Sequence, residues 1–147
     1  MEISIREAHS SDIDDILDLD EIARGEAIRA DFLRDAVEHG NCLVADRAGR
    51  VLGYGVLDYS FYGQGFIPLV YVRADSRRHG VGAELIKSLE ARCVTQKLFT
   101  STNDSNQPMK ALLSQLGFDP SGIIHNLDPG DPEIVYFKRK TSSLDYE

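Results

Sequence analysis

Cysteine is scarce in this chain, with two residues, Cys42 and Cys93, among 147. The pair follows no metal-ligand spacing, and each stands in an apolar stretch, so both are read as buried free thiols, consistent with a cytoplasmic compartment. Long apolar runs are absent. Nothing approaches the roughly eighteen residues that a membrane-spanning helix needs. The opening MEISIREAHS has neither a basic start nor a long apolar segment, so no secretory leader is read there. Positive charge is in deficit, 16 Lys and Arg against 24 Asp and Glu, for a net charge of −8. That balance disfavours nucleic acid and anionic membranes as partners and tolerates or attracts amines. The basic triplet RRH at 77–79 is too short for a nucleic-acid stripe. His9, His39, His79 and His125 are widely scattered, so no metal centre is expected. Neither GxxxxGK[ST] nor GxGxxG occurs, which removes the common nucleotide loops.

What is present suits one folded domain. Apolar residues make up 42% and charged residues 27%, within the range of globular proteins, and the length allows a real core. The domain is read over residues 1–140, with TSSLDYE at 141–147 as a polar tail. Residues 2–7 alternate as a short strand. Ser10 or Ser11 can cap the helix that follows, with Asp14 three residues after Ser11 in a near-capping-box arrangement. Ile28, Phe32, Leu33, Ala36 and Val37 mark a second amphipathic helix ending at Gly40. NCLVADRAGRVLGYGVLDYSFYG reads as two strands around a tight turn at Arg47–Arg50. FIPLVYV reads as a central strand buried on both faces, in which Pro68 interrupts the ladder and forces a bulge or a splay. A helix from Val81, a strand KLFTS, a helix after Pro108 and two closing strands around DPGDP complete the order β, α, α, β, β, β, α, β, α, β, β. This is a mixed α/β domain, a central sheet flanked by helices.

The stretch RRHGVG, Arg77–Gly82, stands where the apolar strand becomes a helix. A helix start carries unpaired amide hydrogens and the positive end of the dipole. Fed through glycine, several amides can point at one anion. Gly80 allows an unusual backbone angle or a close approach, Gly82 keeps the first turn clear, and Arg77 and Arg78 add charge. The plain alternative is a tight turn with no ligand.

VYVRADSRRHGVGAELIKSLE resembles the acetyl-coenzyme A signature of the Gcn5-related N-acetyltransferases (GNAT). The pattern Arg/Gln-x-x-Gly-x-Gly/Ala falls on Arg77, Gly80 and Gly82. NQPMKALLSQLGF is similar to a second family feature, an asparagine before a helix ending in Gly-Phe, here Asn106, Gly117 and Phe118. The resemblance implies the GNAT fold over about residues 1–140, with splayed central strands, and acetyl-CoA as co-substrate. Val70 and Val72 would offer backbone groups to the pantetheine arm. The amides of Arg78, His79, Gly80, Val81 and Gly82 would cradle the pyrophosphate, and Asn106, with Pro108 and Met109, would line the pantetheine region. The implied reaction is direct acetyl transfer to a primary amine of a small molecule or protein, with the Val72 amide facing the oxyanion.

The sequence departs from the family at the position seven residues after Asn106, where Leu113 replaces the usual thiolate-protonating tyrosine. The glutamate that some relatives carry at the start of the central strand is also missing from QGFIPLV. An amine with a pKa near 10 needs a proton acceptor, and the candidates are Asp58, His125 and Glu133. Each also reads as an ordinary surface or strand-end group. Tyr59, Tyr62 and Tyr71 are candidate substrate residues, since aromatic faces in an acidic protein suit a cationic amine; the alternative is a hydrophobic hairpin packed on the first helices. The non-enzyme alternative is an acyl-CoA-binding sensor or interaction module. A homodimer is expected only by analogy with other small enzymes.

Overall fold

The computed structural model describes residues 2–140, so the expected tail at 141–147 lies outside the described residues. Strand β1 (Ser4–Glu7) leads through a 3-10 turn into α1 (Ile13–Leu19), α2 (Glu21–Gly25) and α3 (Ala27–Glu38). Then come β2 (Cys42–Arg47), β3 (Arg50–Phe61), β4 (Gln64–Val72), α4 (Val81–Arg92), β5 (Lys97–Asn103), α5 (Gln107–Gln115), β6 (Asp119–Ile124) and β7 (Glu133–Arg139). The strands form one sheet in the order β1-β2-β3-β4-β5-β7-β6. The mixed α/β architecture and the order of its main elements are those expected; the short α2 is an addition. No helix among the described residues is long and apolar enough to cross a membrane.

Compactness divides the chain into two units. The first comprises residues up to Leu57 together with Leu69–Arg92. Its core gathers Ile16, Leu19, Leu33, Val44, Val51, Tyr54 and Val56. β1 pairs antiparallel with β2, and β2 with β3. The β2–β3 turn places Ala48 at φ 52° and Gly49 at φ 86°, the two left-handed residues of a type I′ hairpin turn. Asp46 supports it by accepting from the Gly49 amide at 2.7 Å. The capping acid before α1 is Asp12 rather than Asp14: its carboxylate accepts from the His9 amide at 2.7 Å. Arg6 selects Asp12 for this role by reaching it with two guanidinium nitrogens, at 2.8 and 3.0 Å. The buried face of α3 is Ala30, Leu33, Ala36 and Val37. Ile28 is 80% exposed, because at roughly 100° per residue it falls on the other side of the helix from Leu33 and Val37. Helix α2 was too short for periodicity to reveal; Asp20 creates it by accepting from the amides of Ile22 and Ala23 at 2.9 and 3.0 Å.

The second unit comprises Asp58–Pro68 and the chain from Cys93 onward. β4 runs parallel to β5 through Gly65↔Leu98, Phe66↔Phe99 and Ile67↔Thr100. β7 pairs antiparallel with both β5 and β6. Phe61, Phe66, Phe99 and Phe137 form a row of ring contacts across four strands, at centroid distances of 5.0–5.3 Å. Cys42 and Cys93 are buried free thiols, each within its own unit, and burial pushes the Cys42 thiol up to about 12.

Candidate active site

The β4–β5 register ends at Ile67, one residue before Pro68, where the chain loses an amide hydrogen. β4 itself continues to Val72. The run FIPLVYV is not buried on both faces as expected: Ile67 is buried, and Phe66 and Pro68 through Val72 are half-buried. The Arg73 amide donates to the Leu52 carbonyl at 2.7 Å. Backbone groups alternate sides along a strand, so Val70 and Val72 turn their amides and carbonyls away from β3. These are the two residues assigned to pantetheine.

Past the strand, Arg77 folds back onto it. Its Nε donates to the Val72 carbonyl at 3.0 Å, and its guanidinium lies 5.3 Å from the Tyr71 ring centroid. Arg78 adopts φ 67° and Gly80 φ 82°, left-handed residues alternating with ordinary ones, the backbone pattern of an anion nest. A Cβ built on Gly80 meets nothing within 4 Å, so space stands open beside the loop. The Glu84 amide donates to the Gly80 carbonyl at 3.1 Å. That makes Gly80 the residue before the first turn of α4, and the Val81, Gly82 and Ala83 amides are the ones a helix start leaves for an outside acceptor. The loop and the strand end fit a pyrophosphate and an extended amide-bearing arm.

Tyr71 stands over a buried polar cluster that sequence reasoning missed. Its ring stacks on Tyr54 at 6.3 Å, and the Arg29 guanidinium lies 5.7 Å from its centroid. Arg29 Nε donates to Asp20 Oδ2 at 2.9 Å, and the Tyr54 hydroxyl donates to the same oxygen. Asp20 is 0% exposed. Burial, then the bond to Asp20, raises the Tyr54 pKa. Burial works against the Arg29 charge, but Tyr54 and Asp20 outweigh it and raise its pKa. With two guanidinium groups beside its ring, Tyr71 is not an open receptor for a cationic amine. The only signal in the sequence was Asp20 just before a short apolar pattern, too common to single out.

The remaining candidates lie in the second unit. Asn106 caps α5, its Oδ1 accepting from the Met109 amide at 3.2 Å, which leaves its side-chain amide to donate. Met109 is half-buried. Leu113 is 1% exposed, a core residue with no acid–base capacity. Asp58 Oδ1 accepts from the Ser60 hydroxyl at 2.7 Å and the Ser60 amide at 3.1 Å. Glu133 Oε2 accepts from Ser101 Oγ at 2.7 Å. His125 is exposed just beyond β6. The Tyr59 hydroxyl accepts from the Val94 amide at 3.0 Å, and Tyr62 sits 87% exposed in the β3–β4 turn at φ 54°. Within the aromatic hairpin, Phe61 packs on Phe66 and on Phe99 of β5.

The fold is that of an acyltransferase, and the loop with the adjoining strand end is its candidate cofactor site. The acetyltransferase (GNAT) family model matches residues 7–118, and the chain belongs to that family, whose reaction is acetyl transfer from acetyl-CoA as co-substrate. A GNAT-family acetyltransferase from Bacillus cereus ATCC 10987 is 30% identical, covers 97% of this chain and 100% of its own, and superposes with a TM-score of 0.90. The putative acetyltransferase yncA from Salmonella typhimurium, solved with its cofactor acetyl-CoA, is 17% identical and covers 96% of this chain and 96% of its own, with a TM-score of 0.77. The ribosomal-protein-alanine N-acetyltransferase from Brucella melitensis is 24% identical, covering 93% of this chain and 99% of its own, with a TM-score of 0.73. No curated protein matches significantly.

Proposed function

We propose that the chain is an N-acetyltransferase that moves an acetyl group directly to a primary amine, of a small molecule or a protein. The observation that carries the cofactor half of this reading is the alternation of left-handed residues at Arg78 and Gly80 beside open space, ahead of the free amides of α4. Acetyl-CoA supplies an acetyl group activated as a thioester. Val70 through its outward backbone groups and Val72 through its amide, since its carbonyl already accepts from Arg77, bind and orient its arm, and residues Arg78–Gly82 hold its phosphates. Asn106 and Met109 enter the proposal through the family resemblance. N-acetylation is supported by the named activity of the Brucella protein, and the charge of −8 favours a cationic acceptor. Asp58, His125 and Glu133 are the proposed proton acceptors, of which Asp58 and Glu133 already accept hydrogen bonds from serine. A cytoplasmic location is proposed from the free thiols.

One observation favours the second reading, a non-catalytic acyl-CoA-binding module: the position of the family's tyrosine is the buried Leu113. Calorimetric titration with acetyl-CoA tests the cradle, beside Gly82→Glu. Gly82 is not among the positive-φ glycines, and a glutamate in the first turn of a helix favours folding while repelling a phosphate. Micromolar binding that disappears in the folded variant is the expected result; a folded natural chain that does not bind overturns the cofactor assignment. Thiol release with a panel of amines then separates the two readings: release supports the enzyme, and tight binding with no release supports the module.

A further inference from the structure

A cavity of about 250 Å³ in the first unit is lined by Arg47, Arg50, Asp75, Ser76 and His79, with Leu52 and Val81 as its apolar walls. It lies between the β2–β3 turn and the loop that precedes α4. In strand order β4 has β3 on one side and β5 on the other, and this cavity belongs to the β3 side. Its charge is unusual for so acidic a chain: two arginines against one carboxylate, with a histidine beside them. That carboxylate is already engaged. Asp75 accepts from Arg50 at 2.8 Å and from the Ser76 hydroxyl at 2.9 Å. Arg47 is not matched in the same way. Its Nε is buried and has no hydrogen-bond partner among the described residues. A buried donor on a charged group without an acceptor is costly to keep, and although Nε itself has no open surface, an anion in the cavity that Arg47 lines would bring the guanidinium a counter-charge.

We propose that this cavity is an anion site that takes a single phosphate group, with Arg47 as its principal donor and Arg50 and His79 beside it. The volume falls below the roughly 300–1,000 Å³ of sites for drug-sized ligands, so the group held is inorganic phosphate or one phosphate ester rather than a whole nucleotide. Two sources share that chemistry, a free phosphate-bearing effector and a phosphate ester of acetyl-CoA itself. Ser76, His79 and Val81 lie on the same loop as the proposed cradle, so an anion here would steady the segment that presents those amides. The site itself does not depend on the cofactor reading.

The test is calorimetric titration of the full chain with inorganic phosphate, alone and with saturating acetyl-CoA, for the natural protein, Arg47→Gln, Arg50→Gln and the surface control Arg34→Gln. Loss of a charge-assisted hydrogen bond weakens binding by about tenfold or more. Arg47→Gln is expected to show that loss, Arg50→Gln a smaller one, and Arg34→Gln none. Phosphate that still binds beside acetyl-CoA identifies a separate effector. Phosphate that competes with acetyl-CoA, together with an Arg47→Gln loss seen for acetyl-CoA and not for its 3′-dephospho form, identifies the cofactor's own ester. Both results keep the site. Absence of phosphate binding, or binding equal in the natural chain and both cavity variants, overturns it. Two cavity variants keep the outcome readable if one fails to fold, and phosphate binding in a protein that ignores acetyl-CoA would retain this site while removing the cofactor assignment.

Discussion

Arg6 joins three elements through charge. Its guanidinium reaches Asp12 at 2.8 Å and Asp46 at 3.1 Å, and it is 31% exposed. The hydrogen bond from Arg6 holds the Asp12 carboxyl below the usual carboxylate range, against the opposing effect of burial. A depressed folded pKa means that the contribution is complete above the unfolded-state value, near pH 4, and is lost as pH falls through the lower folded value. Asp12→Asn should therefore cost about 1–2 kcal/mol at pH 7, and the cost should begin to shrink once pH falls below the unfolded-state value near 4. Urea midpoints of both proteins across pH 2–7 check this; a gap that stays constant down to pH 2 would exclude the ion pair as its cause. At this scale the sequence was a poor guide. It placed an acid near the first helix but pointed to Asp14, because a spacing rule cannot see that Arg6, on a strand, faces Asp12. The buried Asp20–Arg29–Tyr54 cluster was illegible for the same reason: its members are brought together only by tertiary packing.

At the scale of elements, the two glycines in VLGYGVL govern how closely β3 meets its neighbours. A Cβ at Gly53 would stand 2.7 Å from the Tyr71 carbonyl oxygen and 3.2 Å from Val72 Cα, both backbone atoms of β4. A Cβ at Gly55 would stand 2.7 Å from a Leu89 methyl of α4, the end of a side chain that can turn away. Gly53→Ala is thus expected to lose about 1–3 kcal/mol of stability and Gly55→Ala less. Gly53→Ala should also weaken acetyl-CoA binding, since the displaced residues are those of the proposed arm-binding strand end. Equal midpoints for the two variants in urea would refute this account. Elements with strong periodicity or a glycine stop were legible: α4 begins at Val81 as read, burying Leu85, Ile86 and Leu89, and the turn of RRHGVG has the left-handed Gly80. The strand FIPLVYV was only half legible. Composition announces burial, whereas the sheet stops supporting it at Pro68, and a pattern cannot tell a core contact from a surface kept apolar for a ligand.

On the scale of the whole molecule, the division into two units follows no break in the chain. β3 passes from the first unit to the second between Leu57 and Asp58, and β4 returns between Pro68 and Leu69. Each unit is therefore built from two separated segments, and two of the three crossings lie inside a strand, the third falling at the end of α4 between Arg92 and Cys93. Unfolding one unit pulls apart strands whose other halves belong to its partner, so the two cannot melt independently in the way that domains joined by a linker do. A single transition is expected in urea, with far-UV circular dichroism and tyrosine fluorescence coincident; the chain has no tryptophan to complicate the second probe. Acetyl-CoA bound at the loop of the first unit should then shift the entire curve. At a hundredfold excess over its dissociation constant the gain is about 2.7 kcal/mol, or roughly 5–10 °C in melting temperature for a chain of this size. Two resolved transitions, or a ligand shift confined to one probe, would show that the crossings do not couple the units. The cradle would then stabilise only the half of the chain that carries it.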